Sequence, residues 1–123
     1  MKLNEECSYP PYVLGRIFRV LESIQQAASP GINATIKDRF FNSACATPAA
    51  VFSVLLRLKN SHMRVLKGLA VSYEKRLTEL AGKLNETLPV RLNREEQSAF
   101  VLGYYHERQQ QFATKEKEKE KED

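Results

Sequence analysis

A single-domain, all-α bundle of about five helices is the fold this sequence predicts, and three observations predict it. Apolar residues recur at three- and four-residue spacings through most of the chain, without the alternation of a half-buried strand. Prolines and capping residues stand at the joins of these stretches rather than inside them. Only five glycines and five prolines occur in 123 residues, too few for the many tight turns of an all-β domain. That length suits one hydrophobic core. A hydrophobic content of 42% with 28% charged residues is ordinary for a globular chain. No internal repeat stands out.

The first helix is predicted in "YVLGRIFRVLESIQQAA", Tyr12 to Ala28. At 100° per residue, Val13, Leu14, Ile17, Phe18, Val20, Leu21, Ile24, Ala27 and Ala28 share one side, and Gly15, Arg16, Arg19, Glu22, Ser23 and Gln26 lie opposite. Pro10 and Pro11 suit its first turn, where proline is tolerated. "SPGIN", Ser29 to Asn33, breaks the pattern, and Asn33 is the expected N-cap of a second helix from about Ala34 to Cys45.

Thr47-Pro48 restarts the chain as N-cap and first helical residue, opening a third helix that runs towards Lys67. Its wheel places Ser53, Arg57, Asn60, Ser61, Arg64 and Lys67 in one polar arc, with Val51, Phe52, Leu55, Leu58, Val65 and Leu66 on the other side. Lys59 and His62 fall among the apolar residues. Their place there predicts a helix break near Asn60, a lysine that snorkels, or a side that meets a partner. The first two are preferred.

Gly68 punctuates the segment, and Leu69, Tyr73, Leu77, Leu80 and Leu84 give a fourth helix its inward stripe. Pro89 ends that region. Asn93 and Glu96 match a capping box for the last helix, which is apolar on nearly every side from Phe100 to Tyr105. The bundle domain is expected over residues 1–114. The tail "KEKEKEKED", residues 115–123, has no apolar side chain to pack and is expected to fray or stay disordered.

Two cysteines, Cys7 and Cys45, form neither a disulfide framework nor a four-ligand metal site, and Cys45 in "SACAT" reads as a small buried hydrophobe. Met1 to Asn4 lead into two glutamates, so no secretory signal is expected. No run approaches the roughly 18 apolar residues that would span a bilayer. A soluble, cytoplasmic protein without a membrane partner is expected. The two histidines, His62 and His106, have no nucleophile placed beside them by pattern, and the scattered glycines make no phosphate-cradling loop. Neither catalysis nor a cofactor is expected.

The net charge of +4 is unevenly placed. Five basic side chains and no acid occupy the 35 residues from Arg39 to Tyr73. Phosphate contacts need cations and amides held in a row with no carboxylate nearby. Arg57, Asn60, Arg64 and Lys67 supply such a row, and Lys37, Arg39 and Asn42 on the preceding helix could extend it. A surface of this kind grips a backbone without reading bases. The same stripe is also what a merely solvated helix face looks like. Phe40 and Phe41 are read as core rather than as a stacking platform. A free helix-turn-helix regulator fits less well, because neither a short recognition helix nor a dimer interface is evident.

"GINATIKDRFFNSACATPAAVFSVLLRLKNSH", Gly31 to His62, closely resembles the C-terminal part of the large subunit of type I-C CRISPR effector complexes. "YVLGRIFRVLESIQ" (Tyr12 to Gln25) and "FVLGYYHERQQQF" (Phe100 to Phe112) resemble the flanking parts of that region, so the likeness runs from about Tyr9 to Thr114. In that family the region is also made separately, by internal translation initiation, as the small subunit of the Cascade complex. A chain that begins at Met1 and contains only this region is expected to be that subunit. The resemblance implies a helical bundle present in more than one copy, packed against the large subunit, the repeated backbone subunits and further copies of itself. It implies target DNA and guide RNA as partners and stabilisation of the R-loop as the role. No family motif assigns a phosphate to a residue here, so the choice of side chains rests on the helical wheel. A purely structural role in assembly is the alternative.

Overall fold

The computed structural model describes residues 5–84 and 88–122, with side chains described through Lys117. Among the described residues five α-helices make the fold: α1 (Pro10–Ala28), α2 (Ile36–Ala46), α3 (Pro48–Leu66), α4 (Ala70–Ala81) and α5 (Arg94–Glu122). A 3-10 turn, Lys67–Leu69, joins α3 to α4 without a loop. The chain is all-α, with no strand among the described residues.

Local chemistry sets the helix ends. Pro10 and Pro11 open α1 and Pro48 opens α3, as expected. The cap of α2 is Thr35 rather than Asn33, so the helix begins later than the pattern indicated. The Thr35 hydroxyl accepts from Lys37 N–H, and the Thr35 N–H donates to Asp38 at 2.8 Å, closing a capping box. Thr47 makes no side-chain cap for α3; its hydroxyl instead donates to the Ser43 carbonyl at the end of α2. The predicted Asn93–Glu96 box on α5 is present, with reciprocal bonds of 2.9 and 2.8 Å.

The segment before α5 straps the α2–α3 corner. Ala49 N–H donates to the Pro89 carbonyl at 3.1 Å, and Leu92 N–H donates to the Ala46 carbonyl at 3.0 Å. One short extended stretch thus satisfies an orphan donor of α3 and an orphan acceptor of α2.

α1 is the centre of the bundle and packs against the four other helices, most extensively α5. Tyr12 faces His106, Arg16 faces Glu107 and Arg19 faces Gln111, so the contacts advance together and the two helices run parallel. They cross on two glycines. A Cβ built on Gly15 would lie 1.9 Å from the Phe100 carbonyl oxygen, and one on Gly103 would lie 2.0 Å from that of Tyr12. Only glycine permits so close a backbone approach. The two contacts are related by exchanging "YVLG" at 12–15 with "FVLG" at 100–103, so a short internal repeat does exist, and its copies pack on each other.

Because α1 is surrounded, most of its predicted polar side does not face water; Ser23 is half-buried and only Gln26 is exposed. Gly15, Arg16, Arg19 and Glu22 are buried together with the apolar stripe. Phe18 lies at the middle of the apolar core, edge-on to Phe41, Phe52, Phe100 and Tyr104, with centroids 5.4 to 6.5 Å apart. Phe40 and Phe41 are both half-buried and pack against the core, and Cys45 is a buried free thiol. Phe100 and Tyr104 are likewise interior, while Leu102 is exposed. The backbone of α5 stays helical through Glu122, and its side chains are exposed from Thr114 to Lys117. The expectation about Met1 to Asn4 lies outside the described residues, as does Asp123.

Candidate nucleic-acid interface

α3 runs unbroken past Asn60 to Leu66. Lys59 resolves its place on the apolar side by reaching out to Glu74 of α4, Nζ to Oε1 3.2 Å. His62 stays neutral near pH 7, because partial burial lowers its pKa from the ordinary imidazole value.

The polar arc of α3 is where the wheel placed it. Ser53, Arg57, Asn60, Ser61 and Arg64 are all exposed. From Arg57 to Asn60 to Arg64 the steps rise about 4.5 and 6 Å along the axis at 1.5 Å per residue. Among the described residues neither Arg57, Arg64 nor Lys67 is held in an ion pair. Among the described residues, therefore, no carboxylate pairs with these three cations.

Lys67 departs from the wheel. It closes α3 with φ 51°, a left-handed backbone that glycine adopts freely and lysine does not, while Gly68 beside it has no positive φ. The break in the helix therefore falls on the cation and not on the glycine. The 3-10 turn that follows winds three residues per turn, which shifts the register of everything after it. Leu69, expected on the inward stripe of α4, is 68% exposed as a result. Leu58 and Val65, expected on the inner side of α3, are exposed too, Val65 at 64%, and Val71 at 72% continues the same edge. An apolar flank thus borders the cations. The individual residues were visible, but the register shift that joins them was not.

The three α2 residues do not form one extension of the row. Lys37 lies on the α2 face that packs on α5, its Nζ 5.4 Å from the centroid of Phe41, 5.7 Å from Tyr104 and 5.9 Å from Tyr105. Arg39 and Asn42 are exposed and lie roughly opposite Lys37 at 100° per residue. Lys37 is thereby occupied by its own aromatic rings.

The arginines of α1 and α4 also serve the interior. Arg16 donates through Nε to Glu107 at 2.9 Å and through Nη2 to Glu5 at 2.8 Å. Arg76 donates to both Glu107 oxygens, each at 2.9 Å, and reaches Glu5 at 3.3 Å, closing a four-member ring. Burial alone would raise the Glu5 carboxyl, but hydrogen bonds and attraction from Arg16 and Arg76 hold it below the ordinary 4.5. Burial would likewise lower Arg76, and its bonds to Glu107 and Glu5 push it up instead. Nearby, Glu22 accepts from Arg19 at 2.6 Å, from Thr35 at 2.7 Å and from the Tyr104 hydroxyl, which burial and this carboxylate push well above its ordinary value.

Tyr12 and His106 share a hydrogen bond of 2.7 Å between the hydroxyl and Nδ1, and burial lowers the His106 pKa from the ordinary imidazole value. Burial pushes the Cys45 thiol up. Among the described residues no group of three or more His, Cys, Asp or Glu is arranged to hold a metal ion, and no helix is long and apolar enough to cross a membrane.

Residues 1–112 match the family described as CRISPR-associated protein (Cas_Csd1). A search of curated proteins finds none that matches the chain. The match takes in all of α1 to α4 and the part of α5 that crosses α1, so this chain belongs to the CRISPR-associated Cas_Csd1 family.

Proposed function

We propose that the chain is the non-catalytic small subunit of a type I-C CRISPR Cascade complex in the cytoplasm, and that the outer face of α3 grips a nucleic-acid backbone without reading its bases. In this role it steadies the R-loop formed between guide RNA and target DNA, while base pairing supplies the sequence specificity. One observation carries the assignment: the arginines of α1 and α4 are bound to internal carboxylates, whereas Arg57 and Arg64 on α3 stand exposed with no carboxylate partner among the described residues. Membership of a CRISPR-associated family supports a nucleic-acid partner for those exposed cations.

The test is charge reversal within the assembled complex. Arg57→Glu, Arg64→Glu and Lys67→Glu together weaken target-DNA binding while the complex still assembles. Unchanged binding across a salt titration removes the assignment.

A second role, in assembly through protein contacts with the large subunit, the backbone subunits or further copies, is favoured by the apolar flank. Val65, Leu69 and Val71 are each more than 60% exposed, at 64, 68 and 72%. Scattered apolar residues are normal on a surface, but three within seven positions beside the cation row form an edge fit for a neighbour. The two roles use adjacent surfaces, the polar arc of α3 and the apolar edge that runs from Val65 of α3 through Leu69 to Val71 of α4, and are compatible.

A further inference from the structure

A cleft of about 720 Å³ opens between α1, α4 and α5. Its size is inside the roughly 300–1,000 Å³ usual for small-ligand clefts. No residue of α3 lines it, so it is separate from the cation row.

Its charged groups are largely satisfied from within. Glu5 and Glu107 are held by Arg16 and Arg76, and Arg19 is held by Glu22 and Gln111. What the cleft offers is mostly neutral. The side-chain amides of Gln26 and Gln110 make no hydrogen bond among the described residues. The oxygen of Gln111 accepts from Arg19 Nε at 2.7 Å and from Ser23 at 3.0 Å, which leaves its amide nitrogen available as a donor. Tyr73 contributes a half-buried ring, and Lys115 is the one lining cation with no ion pair among the described residues.

Three ligand classes can be separated on this chemistry. An apolar ligand would leave the amides unpaired, which is costly. A polyanion would meet a single free cation and two carboxylates. A nucleobase presents donors and acceptors side by side, which rotatable amides can match, and carries a face that stacks on a ring. Its phosphate gives Lys115 a partner. We infer that this cleft receives one unstacked nucleotide of a single strand, base inward, with its phosphate near Lys115. The inference rests on the nucleic-acid reading above and extends it: α3 holds backbone and the α1–α4–α5 cleft holds a base.

The experiment compares two fluorescent strands titrated into the full chain: an oligothymidylate of about twelve nucleotides and an abasic strand of equal length and charge. The oligothymidylate binds about fivefold or more tightly than the abasic strand, as base stacking on protein requires. In nuclear magnetic resonance spectra the side-chain amides of Gln26, Gln110 and Gln111 shift with the oligothymidylate and not with the abasic strand. Ser72→Trp, which fills the mouth of the cleft from an exposed position, erases both differences. Equal affinity for the two strands, immobile amide signals, or an unaltered preference in Ser72→Trp overturns the inference. Reversing Arg57, Arg64 and Lys67 weakens both strands and leaves their ratio alone. If that reversal changes neither affinity the α3 reading fails, and the comparison of strands still judges the cleft.

Discussion

Gly15 lies so close to Phe100 that a single added carbon on the glycine would reach 1.9 Å from the Phe100 carbonyl oxygen. The obstacle is backbone, which cannot swing aside as a side chain can. Gly15→Ala or Gly103→Ala must therefore push α1 and α5 apart. Overpacking of this kind costs about 3 kcal/mol or more, a fall in Tm of roughly 10 °C for a chain of this size. Gly68→Ala is the control, since nothing lies within 4 Å of its added Cβ. It leaves Tm unchanged or raises it slightly. Thermal melts of the three variants check the contrast.

Glu107 holds two buried or half-buried arginines at once. Glu107→Ala leaves the Arg16 guanidinium, which is 0% exposed, with Glu5 as its one ion-pair partner among the described residues. Breaking a buried pair from one side costs about 3–5 kcal/mol. Denaturant titration is expected to show a loss of that size, with part of it restored by Arg16→Met in the same chain.

The same ring gives folding a pH dependence. The folded Glu5 carboxyl titrates below the ordinary 4.5, so near that pH the unfolded chain binds more protons than the folded one. Stability from Glu5 is thus complete above about pH 5 and drains away as pH falls through the folded value. Tm measured down the acid range falls less steeply for Glu5→Gln than for the parent chain. Equal slopes would show that Glu5 does not contribute.

Salt tests the α3 row more sharply than affinity alone. Each cation on a phosphate adds about 0.7–0.9 to the slope of log affinity against log salt. Removing Arg57, Arg64 and Lys67 together lowers that slope by about 2–3. A parallel shift with an unaltered slope would mean that these side chains touch no phosphate.

Lys67 separates stability from binding within one residue. Lys67→Gly relieves a left-handed backbone, worth on the order of 1 kcal/mol, and so raises Tm. The same change removes a cation and lowers nucleic-acid affinity. Movement of both quantities in the same direction would contradict the assignment.

Much of this architecture was legible locally. The Asn93–Glu96 box, the Pro48 start and the polar arc of α3 depend on neighbours three to seven residues away, and the wheel placed them well. The polar side of α1 was misread for a physical reason. A wheel assumes one face towards water, whereas α1 is enclosed by four helices, and the Glu107 that pairs with Arg16 and the Gln111 that accepts from Arg19 stand about ninety positions later. The cleft was invisible on the same ground, since three distant helices build it. The paired "YVLG" and "FVLG" did carry a readable trace of the closest packing in the fold.

That packing also dictates when the protein can finish folding. Helices α2, α3 and α4 are near neighbours along the polymer and can collapse as they leave the ribosome. α1, though made before the other helices, cannot dock fully against its main neighbour until synthesis has passed Gln111. Closing so long a loop carries an entropic barrier that grows with the logarithm of its length. A nascent chain stalled before α5 would hold two arginines and an aromatic cluster in the open, the state a chaperone would recognise.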